Sequence, residues 1–199
     1  MKIFEVNKDE YFKIIGCSFH KFNTSDFNYV NKQNSEKVFY LLFKDTEYRL
    51  GIIVGLNKDK ISSPFSAPFG GFSYRKKNVR LLYFKKALLL LENWAIENGV
   101  KNIEIILPPL IYHDTFIAKE INSLFLLNYK VKNIDLNYHF ETIFLDENYE
   151  KKIWYSAKKS LIKSRVNNIY FKKCSKNFEK KQVFKIIKLN RSSKGILCE

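Results

Sequence analysis

Apolar and polar positions along this chain fall into blocks of different period. From Lys37 to Phe43 and from Tyr48 to Leu56 the apolar runs read as strands, and Asp45-Thr46-Glu47 between them supplies turn residues. The pair predicts an antiparallel hairpin. From Asn78 to Asn98 the period changes. Leu81, Phe84, Leu88, Leu91 and Ala95 recur at steps of three and four, Tyr83, Ala87, Leu90 and Trp94 widen the stripe, and Gly99 supplies a stop. This block predicts a long amphipathic helix. Leu82, Leu89 and Ile96 lie in register along its otherwise polar face, which predicts a second contact surface.

Lys101 to Leu107 reads as a buried strand ended by Pro108-Pro109. Asp114 to Leu127 then reads as a helix, and Asn133 to Phe144 alternates as a strand does. Residues 1–35 mix short helical and loop signals, with Thr24-Ser25-Asp26 as a helix cap ahead of Phe27 and Val30. Hairpin, helix, strand, helix and strand in that order predict an α/β fold, a mixed sheet with helices on both faces.

After Asp146 the character changes. Glu147 to Val166 reads as one helix with Ile153, Trp154, Ala157 and Leu161 on one side. At ~100° per residue, Lys151, Lys152, Lys158, Lys159, Lys163 and Arg165 gather on the other. A short strand, Ile169 to Lys173, and a helix, Phe178 to Asn190, follow. These are too few elements for a core of their own. The expected organisation is therefore a domain over 1–146 and the opening of an incomplete second one over 147–199.

Between the hairpin and the long helix lies Ser63-Pro64-Phe65-Ser66-Ala67-Pro68-Phe69-Gly70-Gly71-Phe72. Gly-Gly permits positive φ and close backbone approach, and each proline removes a donor and extends the residue before it. The stretch predicts a rigid apolar loop whose N–H groups face a ligand or, alternatively, a loop that serves shape alone. Ser63, Ser66, Gly70, Gly71, Tyr74 and Arg75 are the candidate substrate contacts.

Composition narrows the partners. The 199 residues carry 35 Lys and Arg against 20 Asp and Glu, a net charge of +15 that favours anions: nucleic acid, nucleotide phosphates or an acidic membrane surface. Lysine far outnumbers arginine, as an AT-rich coding sequence also produces, and no nucleic-acid module accompanies the charge. The basic side of the helix after Asp146 (Lys151, Lys158, Lys159, Lys163 and Arg165) either holds an anion such as a nucleotide-linked sugar or is a solvated face. Cys17, Cys174 and Cys198 form no metal or disulfide pattern. The N-terminus is too polar for a signal peptide, and no apolar run approaches the ~20 residues that span a bilayer, so a cytoplasmic location is expected.

His113-Asp114 after the Pro-Pro corner reads either as a general-base pair or as a helix cap supplied by Asp114. His20 and His139 are isolated in sequence, and no metal spacing is present.

With these segments in place, the chain resembles the Fem-type branch of the GNAT-like acyl-CoA N-acyltransferases associated with bacterial envelope and polysaccharide synthesis. The resemblance rests on Ser63 to Gly71, the helix Asn78 to Gly99, and Ile103 to Pro109. It continues through Lys158 to Val166, Ile169 to Phe171 and Asn190-Arg191-Ser192-Ser193-Lys194-Gly195. It implies two GNAT-like units, acyl-CoA as donor in the better-formed second unit, and an amino-sugar or peptide acceptor between the two. Lys158 and Ser164 stand where relatives tend to have Arg and Ala, and the chain stops at Glu199 where relatives continue. A Gln/Arg-x-x-Gly-x-Gly/Ala string, the usual pyrophosphate turn, is missing from this sequence. The resemblance therefore implies an N-acyltransferase or a non-catalytic acceptor-binding half, completed by a complementary half or a second copy. A basic nucleic-acid-binding protein is the third reading.

Overall fold

The near-continuous apolar runs of the hairpin are explained by a sheet covered on both faces. In the computed structural model, which describes residues 1–76, 78–139, 141–144 and 148–195, the chain divides into two units, Met1–Asn137 and Tyr138–Glu199. In the first unit β1 (Lys2–Val6) pairs antiparallel with β2 (Lys37–Lys44), and β2 with β3 (Tyr48–Asn57). One edge of β3 is shared. Its C-terminal end pairs with β4 (Lys60–Ser63) and its N-terminal half with β5 (Phe72–Tyr74), both antiparallel. The last strand, β6 (Asn102–Ile105), lies parallel to β4, with Lys60 opposite Asn102 and Ser63 opposite Ile105. The result is a mixed sheet of six strands.

Helices α1 (Lys8–Ile15) and α2 (Ser25–Val30) follow β1, α3 (Leu81–Glu97) follows β5, and α4 (Asp114–Leu126) follows β6. Alternation within β2 and β3 sends successive side chains to opposite faces. Phe39, Leu41, Phe43, Leu50, Ile52 and Val54 pack with Phe84, Leu88 and Leu91 of α3 and Phe116 of α4. Tyr40, Leu42 and Ile53 pack with Tyr11 and Ile15 of α1 on the other face. The α/β class and the mixed sheet thus follow from the hydrophobic pattern. Gly99 ends α3 with φ +72°, a conformation that side-chain-bearing residues avoid. Leu82, Leu89 and Ile96 are exposed.

Several expected elements differ. The first 35 residues include a strand, β1, that pairs at the sheet edge. Residues 133–139 and 141–144 form no strand among the described residues; Ile134, Leu136 and Tyr138 are exposed and only Thr142–Phe144 turns, as a 3-10 helix. Phe140 lies outside the described residues. The expected strand Ile169–Lys173 is likewise irregular. A strand needs a partner for its backbone groups as well as a pattern, and among the described residues no strand pairs with these segments.

The second unit contains α5 (Tyr149–Lys152), α6 (Tyr155–Val166) and α7 (Asn177–Ser192). The single basic helix expected from Glu147 is broken, because Ile153 and Trp154 take extended backbone conformations. Lys151 therefore lies on a different helix from Lys158, Lys159, Lys163 and Arg165, and Trp154, expected on the apolar side, is 86% exposed. Glu147, where that helix was expected to start, and Cys198 lie outside the described residues. None of the described side chains of this unit is buried.

Candidate functional site

The loop between β4 and β5 emerges because those strands share β3 without joining. It crosses the C-terminal end of the parallel β4–β6 pair, the end at which α/β sheets commonly place ligands. The Ile106 N–H donates to the Ser63 carbonyl at 2.8 Å, and the Gly70 N–H donates to the Ile106 carbonyl at 2.8 Å. Gly71 N–H donates to Ser63 Oγ at 3.1 Å and Phe72 N–H to Glu120 Oε1 at 3.0 Å. Asn23 Nδ2 donates to the carbonyls of Gly71, at 2.9 Å, and Phe72, at 3.3 Å.

These contacts explain the Gly-Gly pair. A Cβ on Gly70 would lie 2.6 Å from Pro64 N, and one on Gly71, at φ +88°, would lie 2.7 Å from Glu120 Oε1. They also correct one expectation. The N–H groups of Gly70 and Gly71 serve the loop's own architecture, and Ser63 is a buried acceptor within it. Within the loop, the N–H groups of Phe65, Ser66, Ala67 and Phe69 have no protein acceptor among the described residues. Ser66 sits on this rim, tethered by Asn34 Nδ2, which donates to its Oγ at 2.7 Å, while Ser66 Oγ faces Asn31 Oδ1 at 3.4 Å.

Aromatic rings support the rim. Phe69 contacts Phe22 at 5.0 Å, His20 at 5.1 Å and Tyr112 at 5.1 Å between centroids. Phe19 links His20, at 4.8 Å, to Tyr74, which stacks on it at 5.9 Å and 5°, and Tyr74 meets His113 at 5.5 Å. Tyr112 and its neighbours Leu110 and Ile111 are exposed, so an apolar, aromatic surface adjoins the Phe69 end of the loop.

Beside the Asn31–Asn34 tether a cleft of 590 Å³ is lined by Tyr29, Tyr40, the cations Lys8, Lys32 and Lys37 and the carboxylates Asp9 and Glu36, among others. Lys8 and Lys32 lie 4.9 and 4.4 Å from the centre of the Tyr29 ring, a cation–π arrangement.

Two buried titratable groups lie under the loop, and neither stood out in the sequence. Glu120 is fully buried and its Oε2 has no partner. Burial raises its carboxyl to about 8, partly opposed by the Phe72 N–H. His20 is buried among rings with neither nitrogen hydrogen-bonded. Burial lowers it to about 4. Glu120 was findable, since it continues the stripe Phe116, Ile117 and Ser123 on the covered side of α4. Nothing local in sequence marks His20, which meets its neighbours through the tertiary fold.

The remaining candidates are placed apart. His113 caps α4, its Nδ1 accepting the Phe116 N–H at 3.4 Å. Asp114, expected as the cap, instead accepts the Thr115 N–H at 2.6 Å, the main reason its carboxyl lies below the ordinary range. No contact joins the two as a catalytic pair. Arg75 is exposed beyond β5, where its charge acts on Glu47. Glu47 also binds Lys76 Nζ at 2.7 Å and Arg49 Nη1 at 2.5 Å, and the Lys76 contact contributes most to holding its carboxyl low. In the second unit Arg165 pairs with Glu150. Lys151, Lys158, Lys159 and Lys163 are exposed. Among the described residues no group of His, Cys, Asp and Glu is placed to hold a metal ion, and no helix is long and apolar enough to cross a membrane.

Compared with protein-family models, with curated proteins and with solved structures, the chain finds no match.

Proposed function

We propose that the first unit is the acceptor-binding half of a GNAT-like N-acyltransferase acting on an amino sugar or a peptide in bacterial envelope or surface-polysaccharide synthesis. The observation that carries this reading is the loop rim. Four backbone N–H groups without protein acceptors lie in one loop, whose Phe69 ring meets exposed Tyr112, at the C-terminal end of a parallel strand pair. Aromatic faces take the apolar side of a sugar ring or a peptide side chain, and fixed donors take its oxygens. In the Tyr29 cleft Lys8 is paired with Asp26 at 2.7 Å, and Lys32, on the same ring, is the cation that suits an acceptor carrying phosphate, such as a nucleotide-linked sugar.

Two features favour binding over chemistry in this unit. Acyl transfer to an amine needs a base within reach of the acceptor nitrogen. His113 Nδ1 is engaged as a helix cap and Glu120 is sealed beneath the loop. The acyl donor, acyl-CoA on this reading, then belongs to a complementary GNAT-like half or to a second copy, in the cytoplasm where that thioester is made. Calorimetry with hexosamines, UDP-linked hexosamines and short amine-bearing peptides, run beside a thiol-release assay with acetyl-CoA, tests the proposal. Acceptor binding without thiol release supports it. Thiol release by this chain alone assigns catalysis to it, and the absence of any acceptor binding rejects the reading.

A further inference from the structure

The charge of this protein is concentrated in one place. Residues 148–195 hold fifteen of its 35 Lys and Arg and two of its 20 Asp and Glu. Both acidic side chains, Glu150 and Glu179, are paired, with Arg165 and Lys172. The same segment exposes large apolar side chains, so charge alone does not describe it.

Helix α7 shows how the two are arranged. At ~100° per residue, Lys181, Lys185 and Lys188 share one arc; Val183, Ile186 and Ile187 lie opposite with Glu179 and Asn190 among them, Phe178 and Leu189 border the arc on one side, and Phe184, Arg191 and Lys180 on the other. The apolar members are 41–65% exposed. Elsewhere in the unit Trp154, Tyr155, Tyr170 and Phe171 are 81–93% exposed, interspersed with lysines. Nucleic acid would satisfy the lysines and leave the apolar side of α7 in water. An anionic lipid surface satisfies both, since a basic amphipathic helix lays its apolar side at the headgroup boundary and extends its lysines to lipid phosphates. Trp and Tyr are at home at that same depth.

We infer that residues 148–195 are a peripheral membrane-binding element, with α7 seated in the plane of a bilayer that contains anionic phospholipid. It lies on the surface rather than crossing it, as none of the described helices is long and apolar enough to span.

The test uses the full chain with vesicles of phosphatidylcholine alone and of phosphatidylcholine with 30 mol% phosphatidylglycerol (roughly −30 mV at the surface), in physiological salt. The chain is expected to co-sediment with the anionic vesicles only, and brominated lipid is expected to quench Trp154 but not buried Trp94. Replacing Lys181, Lys185 and Lys188 by Gln together is expected to weaken binding about 100-fold, at about fivefold per lysine. Ile186→Ser and Ile187→Ser are each expected to weaken it about tenfold. Circular dichroism confirms that each variant keeps the helix content of the parent. Failure to bind anionic vesicles overturns the inference, as does self-association in place of lipid binding. So does loss with the lysine variant but not with the serine variants, coupled with tight binding to single-stranded RNA, which assigns the segment to nucleic acid.

Discussion

Glu120 and His20 impose opposite pH dependences on stability, and separating them tests the packing beneath the loop. Burial raises the Glu120 carboxyl from 4.5 to about 8. The folded chain thus holds a proton that the unfolded chain releases, and stability falls as pH rises through 4.5 to 8, by about 1.4 kcal/mol per pH unit. His20 acts the other way. Held at about 4 against an ordinary 6.5, it contributes stability above pH 6.5 that is lost as pH falls toward 4. Between pH 4.5 and 6.5 the two slopes cancel. From 6.5 to 8 Glu120 is unopposed, and the protein loses about 2 kcal/mol, a large share of a typical 5–15 kcal/mol. Asp45, Glu47 and Glu104, held low, titrate below this window, and Tyr11 and Tyr40, raised by burial, above it. Glu120→Gln keeps an acceptor for the Phe72 N–H and removes the charge. Its stability is expected to climb from pH 4 to 6.5 and then stay level, exceeding the parent by roughly 3–5 kcal/mol at pH 8. Urea unfolding followed by circular dichroism at pH 5, 6.5, 8 and 9 reads both profiles. A parent profile that is level from pH 6.5 to 8, or a Glu120→Gln profile that falls in parallel with it, refutes the reasoning.

Three further outcomes are expected. Gly71→Ala, which sets a Cβ 2.7 Å from Glu120 Oε1 at positive φ, should lower stability by roughly 2–3 kcal/mol, read as a drop in Tm. Ser63→Ala removes the acceptor of the buried Gly71 N–H and should cost about 1–3 kcal/mol in the same measurement. Tyr112→Ala, at a ring that is 45% exposed, should leave Tm within about 1 kcal/mol equivalent of the parent and weaken acceptor binding about tenfold by calorimetry.

The hairpin, α3 and α4 were readable in the sequence because each satisfies its pattern where it stands; β6 was readable as a strand but not as the buried one expected, since it lies at the sheet edge with no buried residue. β2 and β3 cover each other's backbone groups, and α3 turns one stripe onto them. The alternating segment from Asn133 failed for the complementary reason. Alternation records which side chains seek cover, and Ile134, at 89% exposed, finds none. β1 was missed because an edge strand with Glu5 exposed lacks a strong period. The loop was recognisable from its Pro and Gly residues, yet its hydrogen-bond partners lie far along the chain. Ile106 closes it from β6, Asn23 from the segment before α2, and Glu120 from α4. Which N–H groups it spends on itself therefore depends on tertiary placement, and this moved the candidate contacts from Gly70 and Gly71 to the rim around Ser66.

The acceptor-binding claim meets its most direct test in amide chemical-shift mapping of the ¹⁵N-labelled chain titrated with UDP-N-acetylglucosamine, glucosamine and an alanyl-lysine peptide. The account predicts saturable shifts at the amides of Ser66, Ala67 and Phe69 and at Tyr112, with the Gly70 and Gly71 amides shifting less. Saturable shifts confined to residues 148–195, or none with any of the three acceptors, would contradict it.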